Sequence, residues 1–335
     1  MALTKHLRNK DSPVWAFFAQ RLPNTRAPMN RNGAWSPGEA LVLPSSEAGY
    51  PWSTVGVAFD YRARYLLRPT PLADLVASSG ARRLCRLTGH TTSLPAAWPD
   101  LEKALSEAVA AVASQEGAVA QEEDLARLCL LLARFEETFR APLPGPDWAL
   151  MRLGPKASLA QMLATADERA VADLLGLTRL FRDRRSDLPA ASLVLNPTFA
   201  GSGYVGGADA DLIASGCLID LKVSKPGRPK PHELWQLAGY ALLDWEDEYA
   251  LHSLAIYFAR HGLTVQWEVD ELLSLLAGSP VSVASMRKEF RAFLTDLVGD
   301  VVEGPQGPSG CTRPTVRLSG PRSGVQTLTS RRPRA

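Results

Sequence analysis

The feature that most constrains this chain is a pair of short strand candidates that carry charged side chains among apolar ones. The first holds Asp209 and Asp211, and the second runs Leu218-Ile219-Asp220-Leu221-Lys222. Successive side chains of a strand point to opposite faces, so the two charged residues of each strand share a face. The segment between them, 214–216, is short and contains glycine, which predicts a hairpin. The hairpin would gather two or three carboxylates and one ammonium group in a small volume.

Such a cluster of charges predicts a bound divalent metal. Carboxylates held close together repel one another unless a cation lies between them. Ligands that are all oxygen atoms favour Mg²⁺ or Mn²⁺ over zinc.

The order of motifs in this region resembles that of the PD-(D/E)XK nuclease superfamily. The triplet Asp220-Leu221-Lys222 matches its D-x-K element, and Gly206-x-x-Asp209 matches the acidic residue of the preceding strand. A helix predicted over 231–244 carries Gln236-x-x-x-Tyr240, the motif of the RecB-like exonuclease branch. The resemblance covers roughly residues 190–270.

The resemblance implies an α/β (α+β) fold with a restriction-endonuclease-like αβββαβ core and a Mg²⁺-dependent deoxyribonuclease activity. Asp209 and Asp220 would bind the metal, together with the backbone carbonyl of Leu221. The duplicated acid leaves Asp211 as an alternative ligand, although the glycine spacing favours Asp209. The implied catalytic residues come from all three motifs: Asp209, Asp220, Lys222, Gln236 and Tyr240.

Some members of the RecB-like branch hold an iron–sulfur cluster with four cysteines, three of them near the C-terminus. The cysteines of this chain are widely scattered, at Cys85, Cys129, Cys217 and Cys311, and no C-x-x-C occurs. We therefore expect neither an iron–sulfur cluster nor zinc.

The competing interpretation places Asp220 and Lys222 on a solvated strand face, where a charge pair contributes little to stability. Apolar residues surround the pair on both sides, which is typical of a central strand. A charge in a central strand requires a partner or a metal. The nuclease-like site is therefore favoured.

The charge pattern points to a polyanion only locally. The formal net charge is +2, yet Lys225, Arg228 and Lys230 follow Lys222 with no acid between them. This stretch is either a solvated loop or a phosphate-binding segment, and its place after Lys222 favours phosphate contact. Nucleic acid, with DNA preferred, is the expected partner.

The chain lacks a secretory signal and an apolar run of membrane-spanning length, which predicts a cytoplasmic protein that does not enter a membrane. It also lacks a Gly-x-x-x-x-Gly-Lys motif, so any motor that assists it would be a separate chain. A role in genome defence or repair, with a partner from that system, is the expected context.

Four segments are predicted along the chain. Residues 1–98 form an irregular and helical segment, and 99–185 a helical subdomain inserted before the core. Residues 186–302 form the nuclease-like core, with short strands at 192–195, 204–213, 217–223, 254–259 and 264–269 and closing helices near 270–277 and 282–299. Residues 303–335 are rich in Gly, Pro, Ser and Arg, which predicts a disordered basic tail.

Two further acidic positions have two interpretations each. Family nucleases often begin with a helix bearing Gly-x-x-x-His, and here Asp60 follows Gly56 at that spacing. Asp60 either takes the place of the histidine or lies on a polar helix face, which the departure from the pattern favours. Glu136 and Glu137 either approach the metal or face solvent, and solvent is favoured because adjacent glutamates usually lie there.

Three functions of different classes remain in competition. The first is a metal-dependent nuclease, the second a silent nuclease-fold protein that only binds nucleic acid, and the third a helical interaction protein. The intact Asp-x-Lys element argues against the second, and metal binding separates the third, which predicts none.

Overall fold

The apolar runs of the C-terminal third form one five-stranded sheet in the computed structural model, which describes residues 2–30, 38–90, 94–113, 119–140, 148–184 and 192–302. The strands are β1 (Leu193–Leu195), β2 (Leu212–Ala214), β3 (Cys217–Lys222), β4 (Ser253–Phe258) and β5 (Leu263–Glu268), in that order across the sheet. All neighbours are antiparallel except β3 and β4, which are parallel. The strand β3 is therefore central, as its apolar composition predicts.

Helices cover both faces of this sheet. Within the described ranges they are α1 (Leu3–His6), α2 (Pro13–Arg21), α3 (Trp52–Leu67), α4 (Val76–Leu87), α5 (Trp98–Ala113), α6 (Val119–Arg140), α7 (Ala149–Leu153), α8 (Leu159–Leu163), α9 (Glu168–Arg184), α10 (Pro231–Leu243), α11 (Val269–Ala277) and α12 (Val283–Val302). The parallel pairing of β3 with β4 requires a crossover, and α10 supplies it. A helix, three strands, a helix and a strand thus follow one another from α9 to β4, as predicted.

The prediction that residues 204–213 form the first strand of a hairpin is wrong for most of that range. Residues Ser202–Val205 form a 3₁₀-helix, and β2 begins only at Leu212. Gly206 and Gly207 both have positive φ, at 66° and 117°, which interrupts extended backbone. Asp209 consequently lies outside β2 and forms only an isolated bridge with Thr198.

Two hydrophobic clusters lie on opposite faces of the sheet because strand side chains alternate. Leu212, Ile219 and Ala255 face the cluster formed with α3 to α9. Ile213, Leu218 and Leu254 face the cluster formed with α1, α2 and α10 to α12. In the predicted helical block 99–185 the described residues form α5 to α9, and these helices share their core with α3, α4 and the sheet. The N-terminal segment 1–98 divides between the two faces.

A buried ion pair ties the end of the sheet to the helices. The guanidinium of Arg260 donates two hydrogen bonds of 2.8 Å to Asp173 on α9, and both side chains are fully buried. Arg260 Nε also donates to the backbone carbonyl of Val223 at 3.0 Å, directly after β3. Tyr50 donates a further hydrogen bond to Asp173. This network fixes the position at which β3 ends.

The close packing of α4 on α6 depends on a glycine. A Cβ atom added at Gly80 would lie 1.6 Å from the backbone oxygen of Phe135. Only a residue without a side chain permits this approach, which sets the position of the C-terminal half of α6 against α3 and α4.

The predicted tail 303–335, including Cys311, lies outside the described residues. In the part of the chain that is described, no helix combines the length and the apolar character needed to cross a bilayer.

Candidate active site

A cleft of about 230 Å³ opens at the ends of β2 and β3, between α3, α6 and α10. Ala2, Leu3 and Thr4 form part of one wall, and the backbone N–H of Leu3 donates to the carbonyl of Gly207 at 2.9 Å. The charged and polar residues that line the cleft are Asp60, Arg64, Glu136, Arg140, Asp209, Asp211, Asp220, Lys222, Gln236 and Tyr240. All five residues expected to be catalytic are among them.

Asp211 and Asp220 lie side by side at the centre of the cleft. Leu212 pairs with Ile219 in the antiparallel register, which brings the preceding Asp211 beside Asp220. The carboxylate of Asp211 accepts a hydrogen bond of 2.6 Å from the backbone N–H of Leu221. Asp211, rather than Asp209, is therefore the acid that the hairpin places against the Asp-x-Lys element.

Burial and mutual repulsion shift the pKa values of these carboxyls. Burial and, after it, the negative charge of Asp220 together raise the pKa of Asp211 to about 7. Burial also raises the pKa of Asp220, against the lowering effect of Lys222. Burial alone would lower the pKa of Lys222, but the carboxylates of Asp220 and Asp211 raise it overall. The ammonium is therefore charged at neutral pH.

The side chains of α10 hold Lys222 in place. Lys222 Nζ lies 2.5 Å from Asp220 Oδ2 and donates to Gln236 Oε1 at 3.1 Å. Gln236 Nε2 donates to the Tyr240 hydroxyl at 2.6 Å, and the Tyr240 ring stacks on Phe199. The predicted spacing of Gln236 and Tyr240 thus builds a chain of contacts that ends at the Asp-x-Lys element.

Asp60 lies in the cleft rather than on a solvated helix face. Its carboxylate pairs with Arg64 one turn along α3, and Arg64 also donates to Asn196 Oδ1 at 3.2 Å. Burial raises the pKa of Asp60 to about 7, against the lowering effect of Arg64 and with a further rise from Asp211. The helix with the Gly-x-x-x-Asp spacing therefore adds a third carboxylate to the site.

The prediction that Glu136 faces solvent is wrong. Glu136 is buried and accepts hydrogen bonds of 2.5 Å from the Tyr61 hydroxyl and 2.6 Å from Arg140 Nε. The reason is the close packing of α6 against α3 and α4, which encloses this end of the helix. Glu137 is half-buried and accepts from the Thr54 hydroxyl at 2.6 Å.

Two arginines in the cleft were not found from the sequence. Arg64 follows Asp60 by four residues, and Arg140 follows Glu136 by four. An acid and a base at this spacing on a predicted helix share a face. An arginine four residues after Asp60 or Glu136 is therefore the sequence signal that points to Arg64 and Arg140.

The basic stretch after β3 lies outside the cleft. Lys225, Arg228 and Lys230 are exposed on the loop between β3 and α10 and do not line it. Lys225 forms a 2.6 Å ion pair with Glu47, an acid that is remote in sequence. The expectation of phosphate contact there stays a prediction.

The central donors fit a hard divalent cation, although no group of three His, Cys, Asp or Glu side chains in the described ranges is arranged to hold a metal. The set implied by the resemblance needs two carboxylates and one carbonyl, and Asp211, Asp220 and the Leu221 backbone supply these oxygen atoms. Asp220 Oδ2 is buried and lies 2.5 Å from Lys222 Nζ, so it already faces a positive charge. Carboxylate and carbonyl oxygen atoms of this kind are the ligands that Mg²⁺ takes.

Comparisons with protein-family models, with curated proteins and with solved structures find no significant match to this chain. The functional assignment therefore depends on the geometry of the cleft and on the motifs that build it.

Proposed function

We propose that this chain is a metal-dependent nuclease of the PD-(D/E)XK type that hydrolyses phosphodiester bonds, with DNA as the preferred substrate. The single observation that carries the proposal is convergence: Asp211 and Asp220, Lys222, and the pair Gln236 and Tyr240 line one cleft. Each motif alone is a weak signal, but a structural role for the charges gives no reason for all of them to meet.

Asp211, Asp220 and the backbone carbonyl of Leu221 would hold the metal. We prefer Asp211 to Asp209 because the strand register places Asp211 directly beside Asp220. When bound, Mg²⁺ supplies Lewis-acid chemistry, in which it polarises the phosphate and lowers the pKa of a bound water.

The chain's own residues would orient the attack. In the metal-free site the carboxylates of Asp220 and Asp211 raise the pKa of Lys222, which therefore carries a positive charge at neutral pH. It would orient the attacking water and offset the charge that develops on the phosphate. Gln236 holds the ammonium at 3.1 Å and Tyr240 holds Gln236, so α10 fixes the direction of that charge.

The test is an assay with Mg²⁺ or Mn²⁺ on linear, circular and single-stranded DNA. The parent is expected to cleave at least one of these substrates, and Asp220→Ala to lose cleavage while it remains folded. Asp183→Ala removes an exposed carboxylate of α9 and serves as the control, with activity equal to the parent. Near-parental cleavage by Asp220→Ala would remove the nuclease proposal.

A further inference from the structure

The cations that line the cleft differ in how firmly they are held. Lys222 is 17% exposed and lies between Asp220 and Gln236. The Arg64 side chain is 10% exposed and is held by Asp60 and Asn196. Arg140 is 46% exposed. Among the described residues that line the cleft, it is thus the cation most accessible to a substrate.

Two nitrogen atoms of the Arg140 guanidinium are paired, one firmly and one loosely. The Nε atom donates to the buried Glu136 at 2.6 Å, and Glu136 is held in turn by Tyr61. The Nη2 atom contacts Asp209 at 3.2 Å, and the Asp209 side chain is 34% exposed. An ion pair in contact with solvent is weak, so an incoming anion can replace Asp209 at little cost.

A phosphate group fits the hydrogen-bond donors of this arginine. A guanidinium presents its N–H donors in a planar fork that matches a phosphate, and its hydrogen bonds to an anion are charge-assisted. Because the buried Glu136 holds Nε, the guanidinium already lies at the cleft before an anion reaches Nη2.

Asp209 occupies a different position from the central carboxylates. It lies outside β2, beyond the two glycines with positive φ, and its carboxylate is directed at Arg140. Asp211 instead accepts from the Leu221 N–H beside Asp220. The two members of the duplicated acid therefore have separate surroundings and need not share a role.

We infer that Arg140 binds a backbone phosphate of the substrate and that Asp209 is the counter-ion it releases, not a ligand of the metal. The inference rests on the proposed nuclease function and assigns a substrate contact within the same cleft. Asp209 then occupies the guanidinium in the free protein and competes with the substrate for it.

The first experiment measures KM and kcat for Arg140→Gln on a single-stranded oligonucleotide. KM is expected to rise by about tenfold or more, the effect of losing a charge-assisted hydrogen bond, while kcat changes little. Arg140→Lys keeps the charge and a partner for Glu136, and is expected to recover part of the loss. Arg127→Gln is the matched control, since Arg127 lies on the same helix and pairs with Glu168 away from the cleft.

The second experiment measures Asp209→Asn alone and in the Arg140→Gln background. The single variant is expected to lower KM severalfold, because Arg140 no longer has a competing carboxylate. In the double variant this gain is expected to vanish. A loss of turnover in Asp209→Asn, with a higher requirement for Mg²⁺, would show that Asp209 is a metal ligand and would overturn the inference.

Binding without cleavage separates this inference from the proposed function. Fluorescence anisotropy of a labelled oligonucleotide is measured in the Asp220→Ala background as salt is varied. Loss of Arg140 is expected to weaken binding and to reduce the salt slope by roughly 0.7, the value for one phosphate contact on a single strand. If the parent does not cleave but binding depends on Arg140, only the nuclease chemistry fails. If the parent cleaves and Arg140→Gln behaves like Arg127→Gln, only the present inference fails.

Discussion

Replacing Asp211 with asparagine is expected to stabilise the metal-free protein at neutral and mildly alkaline pH. The pKa of this carboxyl rises from its ordinary value of 3.8 to about 7, chiefly through burial and then through Asp220. The ionised form is therefore unfavourable in the folded state. Asparagine has nearly the same shape, keeps an oxygen atom that can accept from the Leu221 N–H, and carries no charge.

The size of the effect follows from the displacement of the pKa. One unit corresponds to about 1.36 kcal/mol, so a displacement of about three units sets an upper limit of about 4 kcal/mol at pH 8. The asparagine amide meets a site built for an anion, which offsets part of the gain. We expect a net increase of roughly 1–3 kcal/mol in the free energy of unfolding at pH 8, well inside the range of single substitutions.

The sign of the pH dependence is fixed by the same displacement. The unfolded chain releases this proton near pH 4, whereas the folded protein keeps it until about pH 7. The free energy of unfolding of the parent therefore falls as pH rises through this window. The variant lacks the contribution of residue 211 to that fall, because asparagine does not ionise. The free energy of unfolding of the variant is expected to gain about 2–3 kcal/mol relative to that of the parent between pH 5 and pH 8.

The assay is chemical denaturation in EDTA at several pH values, repeated in excess Mg²⁺. Metal bound only to the folded parent stabilises it by about 2.7 kcal/mol when its concentration is one hundred times the dissociation constant. Excess Mg²⁺ is therefore expected to reduce the stability difference between variant and parent, or to reverse its sign. Asp124→Asn, which removes an exposed carboxylate of α6, is the control. A variant less stable than the parent at pH 8 in EDTA would refute the account in which burial, and then Asp220, disfavour the ionised form of Asp211.

Three further outcomes are expected. Mg²⁺ raises the melting temperature of the parent, and this increment disappears in an Asp211→Ala/Asp220→Ala double variant; an increment that persists would place the metal elsewhere. Asp173→Ala lowers the free energy of unfolding by about 3–5 kcal/mol because it leaves Arg260 buried without its partner, whereas a loss below 1 kcal/mol in urea denaturation would contradict that role. Gly80→Ala forces α4 away from the Phe135 carbonyl and costs at least about 2 kcal/mol, and an unchanged melting curve would show that the helices separate freely.

The parts of the fold that the sequence predicts well are those in which local pattern and burial agree. In β3 an apolar run with charges at alternate positions forms a central strand, and its charges lie where the alternation puts them. In α10 the spacing of Gln236 and Tyr240 brings both side chains to one face. A period of two or of 3.6 is a local property, so it can be read without knowledge of the partner element.

The parts that could not be predicted depend on contacts with distant segments. The start of β2 was misplaced because Gly206 and Gly207 adopt positive φ, which composition permits but does not require. Two adjacent glutamates within α6 predict exposure to solvent for Glu136. Its burial is caused by packing against α3 and α4, which no pattern within α6 reveals. The choice between Asp209 and Asp211 likewise depends on strand register, which a short hairpin with two acids leaves ambiguous.

The position of the cleft between the two hydrophobic layers affects when the site can exist during synthesis. The helix α3, which carries Asp60, packs in the layer on one face. The helices α1 and α10, which carry Leu3 and Gln236, pack in the layer on the other, and β3 lies between the two layers. Leu3 must wait for Gly207, to which it hydrogen-bonds across more than 200 residues, and Lys222 must wait for Gln236 on α10. A nascent chain therefore carries the separate charges long before it carries the assembled cleft, and the proposed nuclease would acquire its site only after α10 has been synthesised.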